Sequence, residues 1–160
     1  MSTPNPSVQF DTSEGQFTVE LWPDVAPLHT ANFLKLASSG FYNNLTFHRI
    51  LEEFVIQGGC PKGNGTGGPG WTVKAEFNDR KHEKGVLSMA RSQHPDSAGS
   101  QFFVCLGRER CQHLDRNYTA FGKVTSGIET IDKIAATPLA DPRSGTPKSA
   151  PQIKTATVLA

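Results

Sequence analysis

The chain has 160 residues and a formal net charge of +1, with 16 Lys and Arg against 15 Asp and Glu. That length fits one domain with one substantial core. The balanced charge gives no field that would concentrate nucleic acid or anionic lipid. The three cysteines, Cys60, Cys105 and Cys111, are scattered, which is typical of free thiols in a reducing compartment.

The N-terminus has neither a basic start nor an apolar run, and no later stretch is apolar for long enough to span a membrane. We therefore expect a soluble, cytoplasmic protein that binds neither membrane nor nucleic acid. Residues 1–160 are predicted to form a single domain, in which residues 1–6 are a flexible N-terminus.

The first part of the chain predicts a β-hairpin followed by a helix. Apolar residues alternate from Val8 to Leu21 around turn residues at 12–15. Pro27 suits a first helical turn, and Gly40 follows the last apolar residue at helical spacing. The spacing predicts a helix over 27–39.

The rest of the chain predicts a β-rich domain with a second helix. Short β-rich runs are separated by Gly, Pro, Asn and Asp clusters, at Thr46–Ile50, Phe54–Gln57, Val86–Ala90, Gln101–Cys105, Ala120–Val124 and Ile153–Leu159. Ser126 and Glu129 have capping-box spacing before a run of isoleucines that Pro138 stops. A surface loop is predicted from Pro138 to Pro151. Two helices without strand–helix alternation favour a β-barrel.

One stretch places an arginine and a glutamine among apolar residues on adjoining predicted strands: Phe47-His48-Arg49, then Phe54, then Gln57. Strand alternation predicts that Phe47 and Arg49 share a face. A charge among apolar groups is costly, so Arg49 either has a functional partner or covers apolar surface with its stem while its head reaches water. The stretch by itself leaves both interpretations open.

Two other clusters of reactive or charged residues give weaker signals. Cys105, Cys111 and His113 lack paired metal-ligand spacing and a fourth ligand, so no metal is predicted. Residues 81–84, Lys-His-Glu-Lys, are interpreted as a solvated turn of mixed charge.

Further blocks follow in a fixed order: Gly65-Thr66-Gly67-Gly68, Leu87-Ser88-Met89-Ala90, Gly99-Ser100-Gln101-Phe102-Phe103, Leu114-Asp115 and Phe121-Gly122-Lys123-Val124. Together with the arginine stretch they resemble the signature blocks of the cyclophilin family of peptidyl-prolyl cis/trans isomerases. The resemblance runs from about Val8 to Leu159. It implies a mainly β fold, a closed eight-stranded antiparallel β-barrel with two capping α-helices, which agrees with the elements predicted above.

The resemblance also implies which residues form the site. Arg49 and Gln57 would be catalytic, and Gln57 would bind the substrate backbone and orient Arg49. Phe103 would be the floor of an apolar pocket for the proline ring. The substrate-binding residues that the resemblance implies are Phe54, Val55, Ala90, Arg91, Gln101, Phe103, His113, Leu114 and Tyr118. No cofactor and no metal are implied.

Three of these positions depart from the family's common pattern: His113 stands where Trp is common, Tyr118 where His is common, and Arg91 where Asn is common. Without the indole and its N–H donor at 113, weak binding of the cyclic peptide cyclosporin is expected. Tyr118 keeps an aromatic ring that could close one side of the pocket. The charge of Arg91 could alter the preference for the residue before proline.

Isomerisation breaks no bond and moves no proton, and its barrier of about 18–20 kcal/mol comes from amide resonance. When the bond twists, the prolyl nitrogen becomes a hydrogen-bond acceptor, and a guanidinium is a permanently charged donor. We therefore expect an isomerase that acts, as a monomer, on proline-containing peptides and unfolded segments and assists protein folding. The alternatives are a non-catalytic module that binds proline peptides and, ranked last, a structural subunit of a larger assembly.

Overall fold

The computed structural model describes residues 5–159 and contains one large antiparallel sheet, two helices and a small hairpin. The predicted flexible N-terminus, residues 1–6, falls mostly outside the described residues. The elements in chain order are β1 (Ser7–Thr12), β2 (Gly15–Leu21), α1 (Pro27–Ser38), β3 (Arg49–Leu51), β4 (Val55–Gly58), β5 (Val86–Met89), β6 (Phe102–Cys105), a 3₁₀ turn (Gln112–Leu114), β7 (Ala120–Ser126), α2 (Ile128–Ala135), β8 (Leu139–Asp141), β9 (Thr146–Pro147) and β10 (Ile153–Leu159).

The large sheet has eight strands in the order β10-β1-β2-β7-β5-β6-β4-β3, and every neighbouring pair is antiparallel. Its edge strands β3 and β10 do not pair directly. Two backbone hydrogen bonds instead join the residues before β3 to the start of β10: the N–H of Ile153, the first residue of β10, donates to the Leu45 carbonyl at 2.7 Å, and Phe47 N–H donates to the Pro151 carbonyl at 2.9 Å. The predicted eight-stranded barrel with two helices is confirmed, and its closure is looser than a regular strand pair.

Aromatic side chains fill the inside of the curled sheet. Phe10 and Phe17 stack with ring centroids 4.9 Å apart, because they are opposite each other on β1 and β2. Phe33 of α1 and Ile131 of α2 are buried in the same cluster, so both helices pack on the core. Burying each such side chain stabilises the fold by about 1.5–3 kcal/mol.

Both predicted helices are confirmed, but the predicted cap of the second is wrong. Ser126 is the last residue of β7, and the helix begins after Gly127, which has a φ of 83° and no side-chain cap. The chain turns from strand to helix against β2, where a Cβ on Gly127 would lie 2.6 Å from Phe17 Cα. A glycine in the left-handed backbone conformation therefore precedes the first residue of α2, where a capping box was predicted.

Two further sequence predictions need correction. The strand predicted at Thr46–Ile50 is shorter, Arg49–Leu51, and Thr46 makes only an isolated bridge with Gln152. The surface loop predicted from Pro138 to Pro151 contains the β8–β9 hairpin. Within residues 5–159, neither helix has the length and apolar composition needed to cross a membrane.

Gly127→Ala is expected to lower the free energy of unfolding by about 2 kcal/mol or more, because it adds a Cβ at positive φ and forces it against the β2 backbone. Urea unfolding followed by circular dichroism measures this. Gly68→Ala is the matched control, since a Cβ there would have no heavy atom within 4 Å. Equal unfolding midpoints for the two variants would contradict this account of the turn.

Candidate active site

A row of four residues crosses the sheet at one level. Arg49 on β3 is opposite Gln57 on β4, Gln57 is opposite Phe103 on β6, and Phe103 is opposite Ser88 on β5. Directly opposed residues point to the same face of a sheet. Because the neighbouring residue Ile56 points into the barrel core, this row lies on the outer face.

Hydrogen bonds connect Arg49 to the glycine-rich loop, residues 65–72, through two side-chain amides. Arg49 Nη1 donates to Gln57 Oε1 at 3.3 Å, and Gln57 Nε2 donates to Gln101 Oε1 at 3.1 Å. Gln101 Nε2 donates to the carbonyl oxygens of Gly65 and Gly67, both at 2.9 Å. A carbonyl only accepts, so the loop fixes the orientation of the Gln101 amide, and that amide in turn fixes Gln57.

The Arg49 side chain is exposed at the end of this chain of hydrogen bonds. It makes one side-chain hydrogen bond within residues 5–159, the bond to Gln57. A guanidinium has five N–H donors in one plane. Arg49 is therefore held in one direction and keeps donors for a bound group.

An apolar cluster on the outer face adjoins the row, and we call it the outer cluster. Its buried members include Phe103, which is 5% exposed, and Phe54 and Tyr118 pack against it. The Tyr118 ring meets the Phe103 ring edge to face at 5.8 Å, and His113 lies 5.8 Å from the Phe54 ring. The cluster as a whole comprises Leu51, Phe54, Val55, Ala90, Phe103, Cys105, Cys111, Leu114 and Tyr118.

A groove of about 830 Å³ adjoins Gln57 and Gln101. The glycine-rich loop, Ala90 and Arg91 also line it. The loop is tied to the strand end by Cys60, whose sulfur accepts from Gly67 N–H at 3.2 Å. Backbone hydrogen bonds of this kind outweigh the effect of burial and lower the pKa of the Cys60 thiol.

The structure brings the sequence-predicted site residues into one region of the outer face. Arg49, Gln57 and Gln101 form the hydrogen-bonded chain. The apolar ones, Phe54, Val55, Ala90, Phe103, Leu114 and Tyr118, belong to the outer cluster, with His113 and Arg91 packed against two of its rings.

Phe47 is the exception to strand alternation, because it is fully buried in the inner core while Arg49 faces out. The prediction that these two share a face is wrong, since residues 47 and 48 precede the regular strand.

Sequence reasoning missed a buried polar group next to Phe103. His82, assigned to a solvated turn, is 0% exposed, and its ring stacks on Phe103 at 6.3 Å. Its Nδ1 lies 3.1 Å from Asp115 Oδ1, and its Nε2 lies 2.9 Å from Ser88 Oγ. Arg108 Nη1 lies 2.7 Å from Asp115 Oδ2. A serine within the otherwise apolar β5 was the one available signal that a polar partner would be buried nearby.

Burial and hydrogen bonds shift the pKa values of both His82 and Asp115. Burial lowers the pKa of His82 below its ordinary value of 6.5, although the hydrogen bond to Asp115 opposes the shift. Burial alone would raise the pKa of Asp115, but hydrogen bonds from His82 N–H and Arg108 outweigh it and lower that pKa. The pair is therefore a neutral imidazole beside a carboxylate at neutral pH.

Comparisons with known proteins agree with this geometry. The model of the cyclophilin type peptidyl-prolyl cis-trans isomerase family matches residues 7–158. The chain is 55% identical over 112 residues to peptidyl-prolyl cis-trans isomerase B of Bacillus subtilis, covering 69% of this chain and 76% of that one. It is 48% identical over 127 residues to a Helicobacter pylori peptidyl-prolyl cis-trans isomerase, covering 77% and 76%.

Solved structures show the same fold. A Cryptosporidium parvum cyclophilin type peptidyl-prolyl cis-trans isomerase superimposes with a TM-score of 0.90 at 32% identity, covering 98% of each chain. The crystal structure of that protein in the presence of the dipeptide Ala-Pro gives 0.89 at 34%, covering 96% and 99%. The chain belongs to the cyclophilin-type peptidyl-prolyl cis-trans isomerase family.

Folding stability should fall as the pH drops below about 6.5, the pKa of an unfolded histidine. Burial lowers the pKa of His82, so the unfolded chain binds a proton that the folded chain resists; this destabilises the fold by up to about 1.4 kcal/mol per pH unit. His29 and His48 have pKa values lowered by burial in the same direction. Urea unfolding at pH 7.5 and 5.5 measures the loss.

His82→Gln removes one of the groups that bind a proton on unfolding, so its loss of stability between the two pH values should be smaller than that of the wild type. The same change at the exposed His94 is the control and should keep the wild-type difference. An unchanged difference in His82→Gln would mean that this histidine is not held neutral by the fold.

Proposed function

We propose that this chain catalyses cis/trans isomerisation of X-Pro peptide bonds, with Arg49 as the donor to the prolyl nitrogen. One observation carries the proposal: an exposed, oriented guanidinium shares a row with Phe103 and adjoins an apolar cluster. Such a surface suits a substrate with an apolar ring bonded to a nitrogen that becomes basic when its amide twists. Proline has that chemistry.

In the proposed mechanism the proline ring packs on Phe103 and the neighbouring members of the outer cluster, which hold one side of the rotating bond. Arg49 donates to the prolyl nitrogen only when the amide is twisted, so it binds the transition state better than the ground state. A preorganised donor of this kind contributes about 3–4 kcal/mol. An acceleration of roughly 10⁵-fold needs about 7 kcal/mol, so ring burial and backbone contacts must supply the rest.

The remaining site residues have proposed roles that the family resemblance implies and that their positions support. Gln57 orients Arg49 and binds the substrate backbone, and Gln101 lines the groove and holds Gln57. The substrate residue before proline pairs with main-chain groups of Ala90 and Arg91. Ala90 N–H donates to the Gln101 carbonyl at 3.0 Å, so the Ala90 group proposed for that pairing is its carbonyl. Around the ring, the pocket is lined by Phe54, Val55, Phe103, His113, Leu114 and Tyr118.

The proposed substrates are proline-containing peptides and unfolded or flexible protein segments, on which the chain would act as a single-domain monomer in the cytoplasm. Uncatalysed isomerisation takes tens to hundreds of seconds, so its acceleration would assist slow folding steps. A relative crystallised in the presence of Ala-Pro supports proline-peptide binding by this fold. No cofactor or metal takes part in the proposed mechanism.

Arg49→Ala is expected to lower kcat for a short X-Pro peptide by about 100-fold, the usual cost of removing one preorganised donor. Peptide affinity should change little, because the donor acts on the twisted state. Exchange NMR on a peptide with both isomers populated measures the rates, and a titration on the same samples gives Kd. Arg49→Lys keeps the charge but loses the planar fork, so it should recover only part of the rate.

Arg80→Met is the matched control for Arg49, because Arg80 lies outside the site, stacked on Trp22 and paired with Asp24. Its rate should equal that of the wild type. Wild-type binding without acceleration would replace the isomerase with the non-catalytic binding module. A fast Arg49→Ala variant would keep the isomerase and remove Arg49 from its centre.

Cyclosporin should bind weakly, because position 113 holds an exposed imidazole in place of a large indole. His113→Trp should tighten binding by about tenfold, since the indole adds apolar contact beside Phe54 and an N–H donor. Calorimetric titration measures both affinities. Gln112→Trp places an indole one residue away and should leave the affinity unchanged; an equal gain from both variants would show that position 113 has no special role.

A further inference from the structure

Arg91 and Tyr118 are distant in sequence and in contact in the structure. Arg91 follows β5, and Tyr118 lies between the 3₁₀ turn and β7. The Arg91 guanidinium carbon lies over the Tyr118 ring, 4.4 Å from its centroid. That distance is well within the range of a cation–π interaction. Two positions that the sequence singles out separately thus form one unit.

Main-chain carbonyls hold the guanidinium in place. Arg91 Nη2 donates to the Asn117 carbonyl at 2.7 Å, which ties it to the segment that carries Tyr118. Arg91 Nη1 donates to the carbonyls of Ser92 at 3.0 Å and Gln93 at 3.3 Å. Within residues 5–159 no carboxylate lies within 4 Å of the guanidinium. Peptide dipoles therefore compensate its charge.

The contact continues into the outer cluster. Tyr118 meets Phe103 edge to face at 5.8 Å, so the order of contacts is Arg91, Tyr118, Phe103. Tyr118 is only partly buried, and its ring contacts both Arg91 and Phe103. Without Arg91 the Tyr118 ring would be held by Phe103 and the cluster alone.

We propose that Arg91 is a positioning residue: it fixes Tyr118 as one wall of the proline pocket and does not read the charge of the substrate. A wall that is ordered before binding saves the entropy of ordering that side chain when the substrate arrives. Arg91 therefore acts on affinity, through Tyr118, and not on the twisting step. This inference deepens the proposed function and rests on the outer cluster being the proline pocket.

Three peptides that differ only before proline, Ala-Pro, Glu-Pro and Lys-Pro, test the inference. Arg91→Met keeps most of the side-chain length and removes the cation and the donors. It should weaken Kd about three- to tenfold, as expected for loss of a cation–π contact. The loss should be equal for all three peptides, with kcat within twofold of the wild type. A loss confined to Glu-Pro, or a gain for Lys-Pro, would mean that Arg91 reads charge and would overturn the proposal.

A double-mutant cycle tests whether Arg91 acts through Tyr118. Tyr118→Leu should weaken Kd, and adding Arg91→Met to it should weaken Kd by no more than a further twofold. Independent, multiplying losses would overturn the proposal, as would an unchanged Kd in Arg91→Met. The control is Arg80→Met, because Arg80 stacks on Trp22 at the same 4.4 Å distance outside the site, and its Kd should match the wild type.

The Kd measurements separate this inference from the proposed isomerase activity. If the wild type binds the peptides without accelerating exchange, the isomerase proposal fails and the three Kd values still decide the role of Arg91. If the wild type binds none of the peptides, the outer cluster is not a proline pocket and this inference falls with it.

Discussion

The site depends on the register of β4 between β3 and β6. Ile50 on β3, Ile56 on β4 and Val104 on β6 are opposite one another on the inner face, and their burial in the core fixes how the three strands align. Side chains alternate along a strand, so a slip of one residue would turn Arg49 and Gln57 inward and expose the isoleucines. Burying each isoleucine contributes about 1.5–3 kcal/mol, which makes that slip costly. The inner core thus determines the outer site.

Given that register, the hydrogen bonds on the outer face orient the Arg49 side chain. Gln101 donates twice to the glycine-rich loop, which leaves its oxygen for Gln57 and the Gln57 oxygen for Arg49. Cys60 holds that loop against the end of β4. The buried His82 ring packs against Phe103. The donor, the ring surface and the loop are therefore all positioned before a substrate arrives.

Much of the fold could be predicted from the sequence, because it follows from local periodicity. Apolar spacing predicted the helix over 27–39, and the structure has Pro27–Ser38. The wrong predictions concern residues at the ends of strands and helices, where tertiary contacts override the local sequence pattern. Phe47 lies just outside a regular strand, so alternation assigned it the wrong face. Ser126 has capping-box spacing, but the close approach to β2 requires Gly127 at the turn.

The candidate site divides in the same way. The resemblance of the ordered blocks to the cyclophilin family identified the candidate site residues. The sequence does not show the directions of the hydrogen bonds among Arg49, Gln57 and Gln101. His82 looked solvated because its neighbours are charged, while its partner Asp115 is 33 residues away. The contact between Arg91 and Tyr118 was equally hidden, since it spans two segments that meet only in the folded chain.

The most direct test of this account is a double-mutant cycle on Arg49 and Gln57, with kcat measured by exchange NMR. Gln57→Leu removes the acceptor that orients Arg49, so kcat should fall about tenfold while the fold is retained. If orientation is the role of Gln57, the same change made in Arg49→Ala should cost less than twofold. Equal losses from Gln57→Leu with and without Arg49 would show that the row does not act as a unit and would contradict the account.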